Sequence, residues 1–240
     1  MLIAPERQRD IIRSLLNIYR REGFMPDARS GNCNGRTQGG SNAEVVIADA
    51  CVKGLEGIDY ELALEAMLKD ATVPPGGNEE KEGRGGLLEY NMLGYIPYGI
   101  DRAGNRIIEY AFDDFCIAQV AKSLGYDDIA KENMRKVDNW KKLWRAYYEY
   151  DGMRGFVMPK DRDGQWLDSV PWGHSKVFHP RIPYTPVTKV APWYLPWWST
   201  FFYEATSEEY SLSIPHDVPG LIEACGGKEA FREQIGRAHV

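Results

Sequence analysis

The sequence predicts an all-α protein in which paired helices are joined by long irregular loops, the arrangement of an α/α toroid. Apolar residues recur with helical periodicity through the first 148 positions. No convincing strand ladder, repeat or linker is visible. A Pro-, Trp-, Gly- and Tyr-rich stretch over residues 150–200 is too long for a plain connection and reads as functional loop. Helix pairs of this kind cannot bury their apolar faces alone, so they stack around a ring.

Each helix has a local cause. Ile11, Ile12, Leu15, Leu16 and Tyr19 form one stripe over 6–22. Ser41 or Asn42 opens a second helix at 41–55, which Gly54 closes. Asp59 caps a third at 60–71, with Leu62, Ala63, Met67 and Leu68 on one side. Residues 74–86 are a polar Pro/Gly-rich loop. The strongest helix covers 105–124 and ends at Gly125; Asp127 or Asp128 starts another, expected to run to about Tyr148. Turn pairs Asp151-Gly152 and Asp163-Gly164 follow. Helical signals return at 206–213 and again after Pro215, through Leu221 and Ile222 to Gly226-Gly227.

Composition narrows the function. Hydrophobic residues make up 43% of the chain, enough for a substantial core, and the net charge of −6 argues against nucleic-acid binding. No apolar run reaches the roughly 18 to 20 residues that cross a bilayer. Cys33, Cys51, Cys116 and Cys225 have no metal-binding spacing; an even count fits two disulfides of a secreted protein, while scattered Cys in helical, apolar settings are more often buried free thiols, which leaves the redox compartment open. Seven Trp and fourteen Tyr serve equally an aromatic core or stacking on sugar faces.

Four segments can carry chemistry. The Gly/Asn-rich loop 30–42 feeds a helix N-terminus, as a polyhydroxylated or anionic ligand would need or as a tight helix entry would; it lacks a phosphate-loop signature. Glu109 and Asp113 stand one helical turn apart, a like-charge pair that is either solvated or held in a cleft. Asp161-x-Asp163-Gly164 has no downstream Glu at the calcium-loop position and reads as a turn. Glu204 follows Trp193, Trp197, Trp198, Phe201, Phe202 and Tyr203; apolar surroundings raise a carboxyl pKa, as a general acid requires. His216-Asp217 is either a catalytic pair or a packed His beside a helix cap.

Together these residues resemble glycoside hydrolase family 92, the calcium-dependent exo-acting α-mannosidases. The matches fall in family order across about 28–234. They are Ser30-Gly31-Asn32 with Gln38-Gly39-Gly40-Ser41-Asn42-Ala43-Glu44-Val45-Val46-Ile47-Ala48-Asp49-Ala50, then Glu109-Tyr110-Ala111-Phe112-Asp113-Asp114, then Gly155-Phe156-Val157. Tyr203-Glu204, Tyr210, Pro215-His216-Asp217-Val218-Pro219-Gly220-Leu221-Ile222 and Gly226-Gly227-Lys228-Glu229-Ala230-Phe231 complete the set. Ala205 and Glu208 depart from the usual Gly and Trp, and Glu44 from a frequent Asp.

The resemblance implies an (α/α)6 toroid, preceded by a β-sandwich domain, and hydrolysis of terminal α-mannosyl linkages with inversion. It places the general acid on Glu204 and sugar-binding roles on Asp49, Gln38, Tyr203, His216 and Asp217. It also implies a calcium ion, with most ligands and the base carboxylates C-terminal to this chain. Mannose-containing oligosaccharides or glycoproteins are the implied partners, outside the cell. Residues 1–234 are therefore expected to be a fragment of the toroid, inactive alone, and 235–240 read as translated sequencing-adapter sequence. A non-catalytic carbohydrate-binding protein of the same fold, or a toroid glycosidase acting on glucosides, are the competing readings.

Overall fold

A computed structural model describes residues 3–26, 41–75, 83–171, 181–186, 201–203 and 205–238. The chain divides into two compact units, residues 1–91 with 109–137, and 92–108 with 138–240. Among the described residues helices dominate, with two short antiparallel hairpins.

The first unit holds α1 (Pro5–Glu22), α2 (Ala43–Val52), α3 (Tyr60–Thr72), the start of α4 (Leu87–Leu93), the later part of α5 (Ala103–Ser123) and α6 (Asp127–Met134). α1 begins with Pro5, whose missing N–H costs nothing in a first turn, and ends at Gly23 with φ 89°, its N–H donating to the Tyr19 carbonyl. Its buried stripe is Ile12, Leu16 and Tyr19; Ile11 faces outward, so the stripe is narrower than expected. α2 is rich in Ala and buried on most sides, which lets Ile47, Ala48 and Ala50 meet Ala63, Ala66 and Met67 of α3 and Ile117, Ala118 and Ala121 of α5 in one core. Asp59 accepts from the Leu62 N–H at 3.1 Å and caps α3 as expected. α4 was not anticipated: two turns give too little periodicity to stand out from the Gly-rich loop before it.

In the second unit two short hairpins accompany the helices where no strand was expected. The helix expected to reach Tyr148 stops at Met134, a 3-10 helix covers Val137–Leu143, and a strand begins at Trp144. β1 (Trp144–Tyr150) pairs with β2 (Met153–Val157), Tyr150 opposite Met153, so Asp151-Gly152 is a two-residue loop. Both loop residues have positive φ (51° and 76°), the form that matches the twist of a hairpin. Three tyrosines and a tryptophan in seven residues favour the pleated surface over the helix. Gly155 explains its motif: at φ 82° it sits where a Cβ would lie 2.6 Å from the Trp144 indole, so only glycine lets Phe156 and Val157 pack. A second hairpin pairs β3 (Ser169–Pro171) with β4 (Arg181–Pro183).

After it come α7 (Ser207–Ser211), α8 (Val218–Ala224) and α9 (Lys228–Ala238), which continues four residues past Gln234. α7 docks on β2 through hydroxyls. Ser211 Oγ accepts the Val157 N–H at 2.7 Å, and Ser207 Oγ donates to the Val157 carbonyl at 2.6 Å. Among the described cysteines, Cys51, Cys116 and Cys225 are free thiols and the last two are buried.

Candidate functional site

Tyr203, His216 and Asp217 belong to the second unit, in the run that carries the proposed acid position. Glu204 and Gln38 lie outside the described residues. The chain on both sides of position 204 is firmly held. Upstream, Phe201 and Phe202 are buried, Phe201 edge-on to Tyr184 and Phe202 stacked on Tyr210 with centroids 5.2 Å apart. The first turn of α5 touches this run closely: a Cβ on Gly104 would stand 2.6 Å from the Phe202 ring. Arg102 lays its guanidinium 4.5 Å from the centre of the Tyr203 ring. Downstream, Ala205 and Thr206 are buried, and the Glu209 carboxylate accepts from the Thr206 N–H at 2.8 Å and its hydroxyl at 3.1 Å, fixing the start of α7.

The Pro215-His216-Asp217-Val218-Pro219-Gly220 run reads physically as a helix start. Asp217 accepts from the Gly220 N–H at 3.0 Å and pairs with Lys141 at 3.1 Å. A Cβ at Gly220 would collide with the Asp217 carboxylate, so the glycine is what lets the cap close. His216 is half-buried beside it. The Asp161-Asp163-Gly164 segment is a turn as expected, Asp161 Oδ1 accepting from the N–H groups of Asp163 and Gln165.

Asp49 lies in the first unit on α2, half-exposed and paired with Lys53 one turn on. That unit also holds a charged cluster that sequence reading missed. Arg84, Glu44, Asp70, Asp113 and Asp114 are all fully buried. Arg84 donates to Asp114 at 2.7 Å and reaches Glu44 only at 3.5 Å, while Tyr90 donates to the other Asp114 oxygen at 2.7 Å and Ser41 to Glu44 at 2.8 Å. The Tyr110 ring lies 5.0 Å from the guanidinium. Asp113, read as one of a pair with Glu109, is inside the unit, and neither of its oxygens finds a donor among the described residues. Burial, then the charge of Glu44, pushes Asp113 well above the usual carboxylate range, and the same causes act on Asp70. Burial takes Glu44 up to about 7 against the pull of Arg84 and Ser41.

These carboxyls bind more protons folded than unfolded above the unfolded value of roughly 4. Their contribution to stability is thus fully present below about 4 and is lost as pH rises, for Glu44 through about 7. Amide protection factors in α2 and in the later part of α5, corrected for the base-catalysed intrinsic rate, should rise on going from pH 8 to pH 5; lower protection factors at pH 5 would contradict this. Among the described residues no three His, Cys, Asp or Glu side chains are placed to hold a metal ion. The resemblance places most calcium ligands outside this chain, and no helix among the described residues is long and apolar enough to cross a membrane.

Comparison with known proteins agrees with the motif reading. An uncharacterized secreted glycosidase of Arthroderma benhamiae is 33% identical over 243 residues, covering 94% of this chain and 29% of that protein. An inverting GH92 mannosidase of Bacteroides thetaiotaomicron is structurally similar over 96% of this chain and 27% of its own, with TM-score 0.76 and 31% identity. A GH92 α-mannosidase of the same organism, in complex with mannoimidazole, gives 0.74 and 28% over 97% and 27%. The chain thus spans less than a third of the length of these relatives. The model of the glycosyl hydrolase family 92 catalytic domain matches residues 1–240, and the chain belongs to that family of glycosidases.

Proposed function

We propose that this chain is the acid-bearing part of a longer (α/α)6 catalytic domain that removes terminal α-linked mannose from oligosaccharides or glycoproteins with inversion. Glu204 protonates the leaving glycosidic oxygen as the C1–O bond breaks. Water attacks C1 from the opposite face and gives its proton to a base carboxylate supplied by the longer domain; inversion requires about 6.5–9.5 Å between the two carboxyls. Asp49, Gln38, Tyr203, His216 and Asp217 are assigned to sugar binding, with the Asp217 carboxylate also serving as a helix cap.

The observation that carries this reading is structural likeness to two mannosidases over nearly the whole chain, at 31% and 28% identity. The rigid bracket around position 204 adds to it. Calcium is proposed for the complete enzyme, with no catalytic step assigned to it, and secretion is proposed by analogy with the Arthroderma relative.

The test is a screen of aryl glycosides with the complete enzyme. Turnover of the α-mannoside, none of the α-glucoside, and loss of activity with a chelator are expected. Preferential α-glucoside turnover would assign the chain to a different toroid glycosidase, and mannose binding without hydrolysis would make it a binding protein.

A further inference from the structure

We infer that Asn105 is a positioning residue for the proposed general acid, acting through the backbone of Tyr203; the inference rests on Glu204 being that acid. The Tyr203 N–H donates to Asn105 Oδ1 at 2.6 Å, across 98 positions of sequence. Only the oxygen of an amide side chain accepts, so this contact also fixes which way the amide faces. The Tyr203 carbonyl accepts from the Tyr210 hydroxyl at 3.3 Å, so the residue before position 204 is held at both its N–H and its C=O.

Three neighbours make this grip stiff. The Gly104 N–H donates to the Phe201 carbonyl at 2.8 Å. Gly104 has no room for a Cβ against Phe202. Arg102, which stacks on Tyr203, has φ 60°, a left-handed conformation that a non-glycine residue keeps only when its surroundings enforce it. The first turn of α5 therefore grips residues 201, 202 and 203 in succession.

Asn105 itself is fully buried, and its Nδ2 finds no acceptor among the described residues. A buried unmade hydrogen bond costs about 1–3 kcal/mol, a burden that a residue kept only for packing would not carry. Proton transfer needs the acid within hydrogen-bond reach of the leaving oxygen, and a displacement of about 1 Å can cost on the order of 100-fold in rate. Fixing the peptide that precedes the acid is one way to prevent that displacement.

The experiment compares two substrates of the complete enzyme. An alkyl α-mannoside must be protonated as it leaves, whereas 2,4-dinitrophenolate departs without a proton. For Asn105→Ala, kcat on the alkyl mannoside should fall by about 10- to 100-fold with KM changed by less than about threefold, while the dinitrophenyl mannoside is nearly unaffected. Asn105→Asp, which keeps the acceptor for the Tyr203 N–H, should recover most of the loss. Asn105→Ser, with a shorter reach, should show the same selectivity in milder form and serves if the alanine variant does not fold. Equal losses on both substrates, no loss, or no rescue by Asp would overturn the positioning role. Glu204→Gln run in parallel separates the two claims. If it is selective and Asn105→Ala is not, only the role of Asn105 falls; if Glu204→Gln is itself unselective, the acid assignment falls.

Discussion

Replacing Arg84 with Met should destabilise the first unit by about 3–5 kcal/mol, the range for removing one partner of a buried ion pair. Arg84 is fully buried and bonds to Asp114 at 2.7 Å, with Glu44 at 3.5 Å. Among the described residues its removal leaves Asp114 with the Tyr90 hydroxyl, in surroundings that already hold Glu44, Asp70 and Asp113. Typical domains are stable by only about 5–15 kcal/mol, so the loss would take much of the total. Methionine fills similar space, which separates the charge effect from a packing effect. Arg84→Lys keeps the charge without the planar fork and should fall between the two. Urea unfolding followed by amide exchange in α2 and the later part of α5 reads the result, and a midpoint equal to the parent's would remove the cluster from any account of stability.

Such a cluster is hard to read from sequence because its partners are remote. Arg84 lies 30 positions from Asp114 and 40 from Glu44, and a lone Arg in a Gly-rich loop gives no sign of burial. Asn105 was silent for the same reason. Local signals fared better. Asp59, Gly54 and Gly125 mark helix ends where sequence chemistry places them, since a cap needs only its own turn. The β1–β2 hairpin had a local signal too, Asp151-Gly152 beside alternating tyrosines. Trp140, Leu143 and Trp144 also fit a helical spacing, but in the structure these residues are buried around the 3-10 helix and the start of β1. The family motifs were legible as a set. The structure adds why some of their residues are there: Gly155 yields to Trp144, and Gly220 yields to the Asp217 cap.

The second large effect concerns Glu204. A positioned general acid contributes about 10²- to 10⁴-fold, so Glu204→Gln should raise the barrier for an alkyl α-mannoside by about 3–5 kcal/mol. Glutamine keeps the size of the side chain and its hydrogen bonding but cannot release a proton to the leaving oxygen. The backbone on both sides of position 204 is held by Asn105, Tyr210 and the Thr206–Glu209 box, so the substitution should leave the unfolding midpoint unchanged. The loss is then chemical rather than structural. The most direct measurement is kcat/KM of parent and Glu204→Gln on an alkyl α-mannoside and on its 2,4-dinitrophenyl counterpart. A loss of at least about 100-fold on the first with little change on the second is the predicted result. Undiminished turnover of the alkyl mannoside by Glu204→Gln would contradict it.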